Sequence, residues 1–132
     1  MLPVIILLDT NVLYHALDYG IQIREAVARV VSKNFEIYVH TMVQKEILRD
    51  LNKPDKLGRQ AKFAMQFMKE YENYEDNRSY TGTDTALLET ARRINGVVFT
   101  FDKELRDRCK RENIPVITHH TTGKVQLVGY IH

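Results

Sequence analysis

Residues 96–117 read GVVFTFDKELRDRCKRENIPVI. The apolar run Val97–Phe101 predicts a short strand buried on both faces. Asp102 follows it at once and is a helix-capping residue type. Leu105 and Cys109 lie four apart on the helix it opens, which carries many basic residues and ends near Asn113. Pro115–Ile117 then predicts another strand. Strand, helix and strand in that order form a βαβ unit, whose two strands run parallel.

The same alternation extends outward. Val4–Leu8 (VIILL) predicts a buried strand, stopped by Asp9-Thr10-Asn11. Val12, Leu13, Ala16 and Leu17 follow at helical spacing, and Ile21–Val31 repeats the pattern. Phe35–Val39 predicts a second strand. Thr41 and Gln44 have capping-box spacing ahead of a helix carrying Val43, Ile47, Leu48 and Leu51. Pro54–Tyr74 predicts a long helix with Ala61, Ala64, Met65, Phe67 and Met68 on its apolar face. Glu72–Gly82 is polar and reads as a loop. Ala86, Leu87, Ala91 and Ile94 mark a further helix, closed by Asn95-Gly96. Val125, Leu127 and Tyr130 suggest a last edge strand. The expected fold class is α/β: a three-layer α/β/α sandwich around a central, mostly parallel sheet.

The chain has 132 residues, 44% hydrophobic and 27% charged, so disorder is excluded and a single domain spanning residues 1–132 is expected. The single cysteine excludes an intrachain disulfide framework and suits a reducing compartment. The first apolar run is far short of the ~20 residues that span a bilayer, and no signal-peptide pattern precedes it. A cytoplasmic protein without a membrane partner is expected. The net charge of +2 is too small to mark a polyanion-binding surface by itself.

Ligands of open α/β sheets bind beyond the carboxyl ends of the strands. Asp9 and Asp102 stand there. Glu46 and Asp84 stand near helix starts aimed at the same edge. Singly, Asp102 reads as an N-cap, Asp84 as a first-turn acid favoured by the helix dipole, and Glu46 as a solvated residue paired with Lys45 or Arg49. Asp9 resists such a reading, because a carboxylate tied to a buried strand is costly without a partner. Together the four favour a site. Carboxylates sharing a pocket repel, and a hard divalent cation removes that conflict; Mg²⁺ and Mn²⁺ prefer carboxylate oxygen and water. No His/Cys set has zinc spacing. An all-carboxylate centre suits phosphodiester cleavage.

LLDTNVL, VQKEIL, TGTDTALLETARR and the stretch from Gly96 to Ile117 together resemble the PIN-domain ribonucleases over nearly the whole chain. The resemblance is weakest from Lys53 to Tyr80. It places the family's four acids on Asp9, Glu46, Asp84 and Asp102, as catalytic and metal-binding residues. Thr10, Asn11 and Thr100 match the polar groups that orient them. Thr83 stands where many relatives carry a further acid, which leaves one or two metals open. The resemblance implies an endoribonuclease that uses Mg²⁺ or Mn²⁺. It also implies a homodimer, and a role either as a toxin with a small antitoxin or in rRNA processing with a ribosome-assembly partner. The T-x-D-x-E-L-R stretch and its basic helix lean toward the second role.

Lys103, Arg106 and Lys110 on that helix, with Arg108 and Arg111, offer an RNA-binding rim against ordinary solvated faces. Lys45, Arg49, Lys53, Lys56, Arg59 and Lys62 follow Glu46 and offer the same. Tyr14, Tyr71, Tyr74 and Tyr80 are candidates for stacking on unpaired bases, with core packing the plain alternative. Thr121-Thr122-Gly123-Lys124 lacks the first glycine of a phosphate loop. Cys109 reads as a packed thiol, and His119-His120 as a loop feature. Three rivals remain. A phosphoacceptor receiver module normally carries paired acids after its first strand, and an aspartate phosphatase needs an Asp where Asn11 stands. An inactive PIN-like RNA-binding scaffold would have no need of all four acids. If those four of the 17 acids serve the site, 19 bases face 13 acids elsewhere.

Overall fold

The computed structural model describes residues 2–132. Its elements, in chain order, are β1 (Val4–Leu8), α1 (Thr10–His15), α2 (Ile23–Val30), β2 (Phe35–His40), α3 (Thr41–Asp50), α4 (Lys56–Met68), β3 (Glu72–Tyr74), α5 (Thr83–Ile94), β4 (Val97–Phe99), α6 (Lys103–Arg111), β5 (Val116–Thr121) and β6 (Lys124–Val128). The six strands form one sheet in the order β3-β2-β1-β4-β5-β6. Every pairing is parallel except β5 with β6. The expected mostly parallel α/β architecture is present.

The central strands are apolar on both faces because helices cover both. Ile6, Leu7, Leu8, Val97, Val98, Phe99, Val116 and Ile117 are buried. Right-handed crossovers place α1–α4 over one face and α5 and α6 over the other. Helices α1, α3 and α4 pack on one another, while α5 packs on β4 and α6 on β5. The chain leaves β1 toward β2 and β3, then returns to β4 on β1's other side. The topological switch point therefore lies between the carboxyl ends of β1 and β4.

Several local expectations need correction. Thr41 is not the cap of α3: His40 is, its Nδ1 accepting from the Met42 amide. Gln44 does not reach back to the cap either; its Nε2 donates to the Val39 carbonyl, so no capping box forms. The Thr41 hydroxyl instead donates to the Tyr74 carbonyl at 3.0 Å and accepts from the Asp76 amide at 2.8 Å. Those bonds secure β3, a three-residue strand within the stretch expected to be helix and loop. Leu17 lies beyond α1 and is 65% exposed. Strand β5 continues through His119 and His120, so this pair is not in a loop; Thr122 and Gly123 turn the chain into β6. Tyr130 lies outside β6. On α4, Ala61 and Ala64 are fully buried, and Met65, Phe67 and Met68 pack against the core.

Candidate functional site

Asp9 ends β1 and caps α1 at the switch point. Its Oδ1 accepts from the Thr10 amide at 2.8 Å. Its Oδ2 accepts from the Thr100 hydroxyl at 2.7 Å and from Asn11 Nδ2 at 3.2 Å. The Thr100 oxygen in turn accepts the Asp102 amide at 3.0 Å, so one hydroxyl ties the ends of β1 and β4 together. Asn11 completes the tie by accepting the Phe101 amide at its Oδ1, which fixes the orientation of its amide. Asp102 caps α6 by accepting from the Glu104 amide.

Glu46 reaches this edge from α3. Its Oε1 accepts from the Thr10 hydroxyl at 2.5 Å and from the Thr83 hydroxyl at 3.2 Å. Thr83 and Asp84 open α5, where the helix dipole favours an acid. Between α3 and α5 lies a cleft of about 710 Å³, lined by Glu46, Asp84 and Thr83 together with Lys45 and Arg49.

The electrostatics single out Asp9. Burial pushes its pKa from 3.8 to about 6 against the Thr100 bond, and the charges of Asp84 and Glu46 push the same way. Asp84 is also raised, by burial and then by Asp102, while Arg108 opposes the shift. Neighbouring Cys109 is driven up to about 12 by burial, so its thiol stays neutral. Each of the four acids thus acts on another. Asp9 Oδ2 and Glu46 Oε1 each already accept two hydrogen bonds, while the second oxygen of each of these carboxylates keeps a lone pair for a cation. Among the described residues, no three Asp, Glu, His or Cys side chains form a compact metal-holding group. The donor set is nevertheless hard oxygen alone and mutually repelling, with Asp9 buried and Glu46, Asp84 and Asp102 half-buried. It fits a Mg²⁺ or Mn²⁺ ion that keeps much of its water and takes one or two carboxylates directly.

A family profile described as a PIN-like domain matches residues 6–121. The chain belongs to the PIN-like domain family. "Ribonuclease VapC4" of Methanocaldococcus jannaschii is 27% identical over 127 residues, covering 93% of this chain and 95% of that protein. Among solved structures, the PIN domain endonuclease Utp24 superposes with a TM-score of 0.80 at 19% identity, over 98% of this chain and 94% of that one. A domain of a functionally unknown protein from M. jannaschii superposes with a TM-score of 0.66 at 16% identity, over 91% and 94% of the two chains. These superpositions establish the fold.

In this PIN-like domain the polar neighbours of the acids do more than the motif spelling indicates. Thr83, marked in the sequence only as a missing acid, donates to Glu46. The basic helix presents Arg108 toward Asp84. Lys103 and Lys110 are exposed, and Arg106 pairs with Asp107 at 3.2 Å. Three of the four tyrosines named as stacking candidates are engaged elsewhere. Tyr14 donates to Asp50, Tyr80 donates to Asp76, and Tyr74 stacks on His40. Tyr71 lies beneath Arg24.

A buried cluster that sequence reasoning misses holds α3 and α5 together. Met42 donates to His40 Nδ1, so the ring is neutral and its Nε2 carries the proton toward Asp76 Oδ2 at 3.1 Å. Burial lowers the His40 pKa, in keeping with this. Asp76 also accepts from Tyr80, the Arg78 amide and Arg93. Burial alone would raise its pKa, but these donors outweigh it and hold the carboxyl well below the usual range. Partners 36 residues apart with no periodic relation leave no sequence signature.

Proposed function

We infer that this PIN-like domain, acting over residues 1–132 as one unit, is an endoribonuclease that hydrolyses RNA phosphodiester bonds with a bound Mg²⁺ or Mn²⁺. The observation that carries the reading is Asp9: a buried carboxylate at the switch point, oriented by Thr10, Asn11 and Thr100 and facing the charges of Asp84 and Glu46. The full-length likeness to a protein named as a ribonuclease supports it.

Asp9, Asp84, Asp102 and Glu46 would hold the ion, directly or through its waters. When bound, such an ion activates water and neutralises charge on the phosphate. The chain's own residues set the stage for that chemistry. Thr100 and Asn11 fix one oxygen of Asp9 and favour its ionised form. Thr10 and Thr83 fix Glu46 at the mouth of the cleft. Lys45, Arg49 and Arg108 draw phosphate toward the carboxylates, and Lys103, Arg106 and Lys110 extend the cationic rim along α6.

The substrate is RNA, single-stranded or structured, met in the cytoplasm. The likeness accommodates both biological settings, a toxin restrained by an antitoxin and an RNA-processing enzyme with a ribosome-assembly partner. It also brings the family's homodimer as an expectation. The inward part of the α4 apolar face is occupied by the core. Phe63, 62% exposed, and Leu17 remain outward as candidates for a contact between copies. No helix among the described residues is long and apolar enough to cross a membrane. Incubation of the protein with RNA in Mn²⁺ tests the reading. Internal cuts that vanish in EDTA are expected; cleavage unaffected by EDTA would refute the metal-dependent mechanism.

A further inference from the structure

Tyr19, Phe101 and His119 form an aromatic cluster beside the carboxylate centre. Tyr19 and His119 stack with centroids 4.6 Å apart and planes 24° apart. Phe101 meets Tyr19 edge-on at 4.9 Å and His119 at 6.1 Å. The cluster draws on three segments: the turn after α1, the bend between β4 and α6, and β5. It lies along the carboxyl edge of the sheet on the β5 side of Asp9, whereas the α3–α5 cleft lies on the β2 side.

Three observations separate it from ordinary packing. Phe101 stands between Thr100 and Asp102, and its amide is bonded to Asn11, which also holds Asp9. The ring cluster is therefore rigidly registered to the carboxylates. Tyr19 is 37% exposed, though a large aromatic normally gains from burial. Its backbone is anchored by the β5–β6 turn, Gly123 donating to the Tyr19 carbonyl at 2.8 Å, so the exposed ring stands on a fixed support. Finally, His119 Nε2 is buried without a hydrogen-bond partner. Such atoms are few in folded proteins, and this one lies directly beside the stacked tyrosine.

We propose that Tyr19, supported by His119 and Phe101, is a stacking platform for one unpaired base of a single-stranded RNA whose adjoining phosphate lies at the Asp9 centre. Every base has a π-face, so stacking captures a strand without reading its sequence, and it discriminates against a duplex whose bases are already stacked. Lys103, exposed and two residues beyond Phe101, supplies a positive charge beside the platform. The cleft side then holds the strand by its phosphates and the platform side holds it by a base.

This inference rests on the ribonuclease reading for its ligand, and the test separates the two. Single-stranded RNA oligonucleotides carrying 2-aminopurine at successive positions are titrated with the protein in EDTA, so that no cleavage intervenes. Stacking quenches the probe at one position, and Tyr19→Phe preserves both quenching and affinity. Tyr19→Ala and Tyr19→Leu lose the quenching and bind roughly 10-fold more weakly, within the range of one base–aromatic stack. Tyr19→Leu keeps apolar cover over His119, and matched melting temperatures exclude misfolding. Unquenched probes at every position, or unchanged affinity in both variants, would overturn the platform even if RNA is cut. So would a Tyr19 effect confined to self-association in sedimentation. Tyr19-dependent quenching by a protein that never cuts RNA would uphold the platform and refute the nuclease.

Discussion

Thr100 donates its hydroxyl proton to Asp9 Oδ2 across 2.7 Å while its oxygen accepts the Asp102 amide. One side chain thus favours ionised Asp9 and sets the distance between two acids from different strands. A hydrogen bond to a charged group contributes about 1.5–3 kcal/mol. Thr100→Val is expected to raise the pKa of Asp9 above about 6. The acid limb of the pH–activity profile should move upward, with roughly a tenfold loss at neutral pH that narrows in base. Thr100→Ser should resemble the parent. A uniform loss at all pH values would show that Thr100 only supports the fold.

The raised pKa of Asp9 also sets a pH dependence of stability. Its folded value, about 6, exceeds its ordinary 3.8, so its contribution to stability is fully present below 3.8 and lost as pH rises through 6. The loss is on the order of 3 kcal/mol for a shift of this size. Asp84 shifts in the same direction. A cation at the carboxylates would relieve this penalty, so Mn²⁺ should raise the melting temperature more at pH 7 than at pH 5. Equal gains at both would contradict the assignment of the acids.

Asp76 behaves oppositely. Its pKa is depressed in the fold, so its stabilisation is present above about 4 and is lost as pH falls below that range. Asp76→Asn should cost on the order of 3 kcal/mol in urea unfolding at pH 7, because His40 and Arg93 lose a buried charged acceptor. Glu89→Gln on the exposed side of α5 should stay within about 0.5 kcal/mol.

Much of the fold was legible because the informative strands are buried on both faces. VIILL and VVF are short, continuous and β-branched, and no solvated element tolerates such runs. Asp9 was legible because it directly follows VIILL, and Asp102 because it follows the longer stretch Val97–Phe101, of which only Val97–Phe99 is strand. Strand β3 was not: Glu72-Asn73-Tyr74 has no apolar pattern, and it becomes a strand by pairing with the edge of β2, secured through Thr41. The spelling at the start of α3 misleads because His40 supplies the capping acceptor and Thr41 is used in tertiary bonds. The structural duty of Thr83 and the His40–Asp76 pair depends on contacts between distant segments that no periodicity encodes.

Gly58 makes a sharp packing prediction. A Cβ built there would lie 1.9 Å from the Lys53 carbonyl oxygen, a backbone atom that cannot turn aside. Gly58→Ala should destabilise the protein by roughly 3 kcal/mol or more, with relaxation of the α3–α4 connection. Thermal or urea unfolding measures it directly.

The cationic groups around the cleft predict a salt dependence. Replacing Lys45 and Arg49 by Gln should weaken single-stranded RNA binding at low salt. It should also flatten the plot of log affinity against log salt by roughly 0.7 for each phosphate that these side chains neutralise. An unchanged slope would place the RNA backbone elsewhere.

The central claim is that Asp9 is the organising carboxylate of a metal-dependent RNA-cutting centre. The most direct test compares Asp9→Asn with the parent in Mn²⁺ on a single-stranded RNA substrate, with circular dichroism confirming that both are folded. Loss of at least a hundredfold in cleavage rate by a folded variant is the predicted result. Undiminished Mn²⁺-dependent cleavage by folded Asp9→Asn would contradict the account.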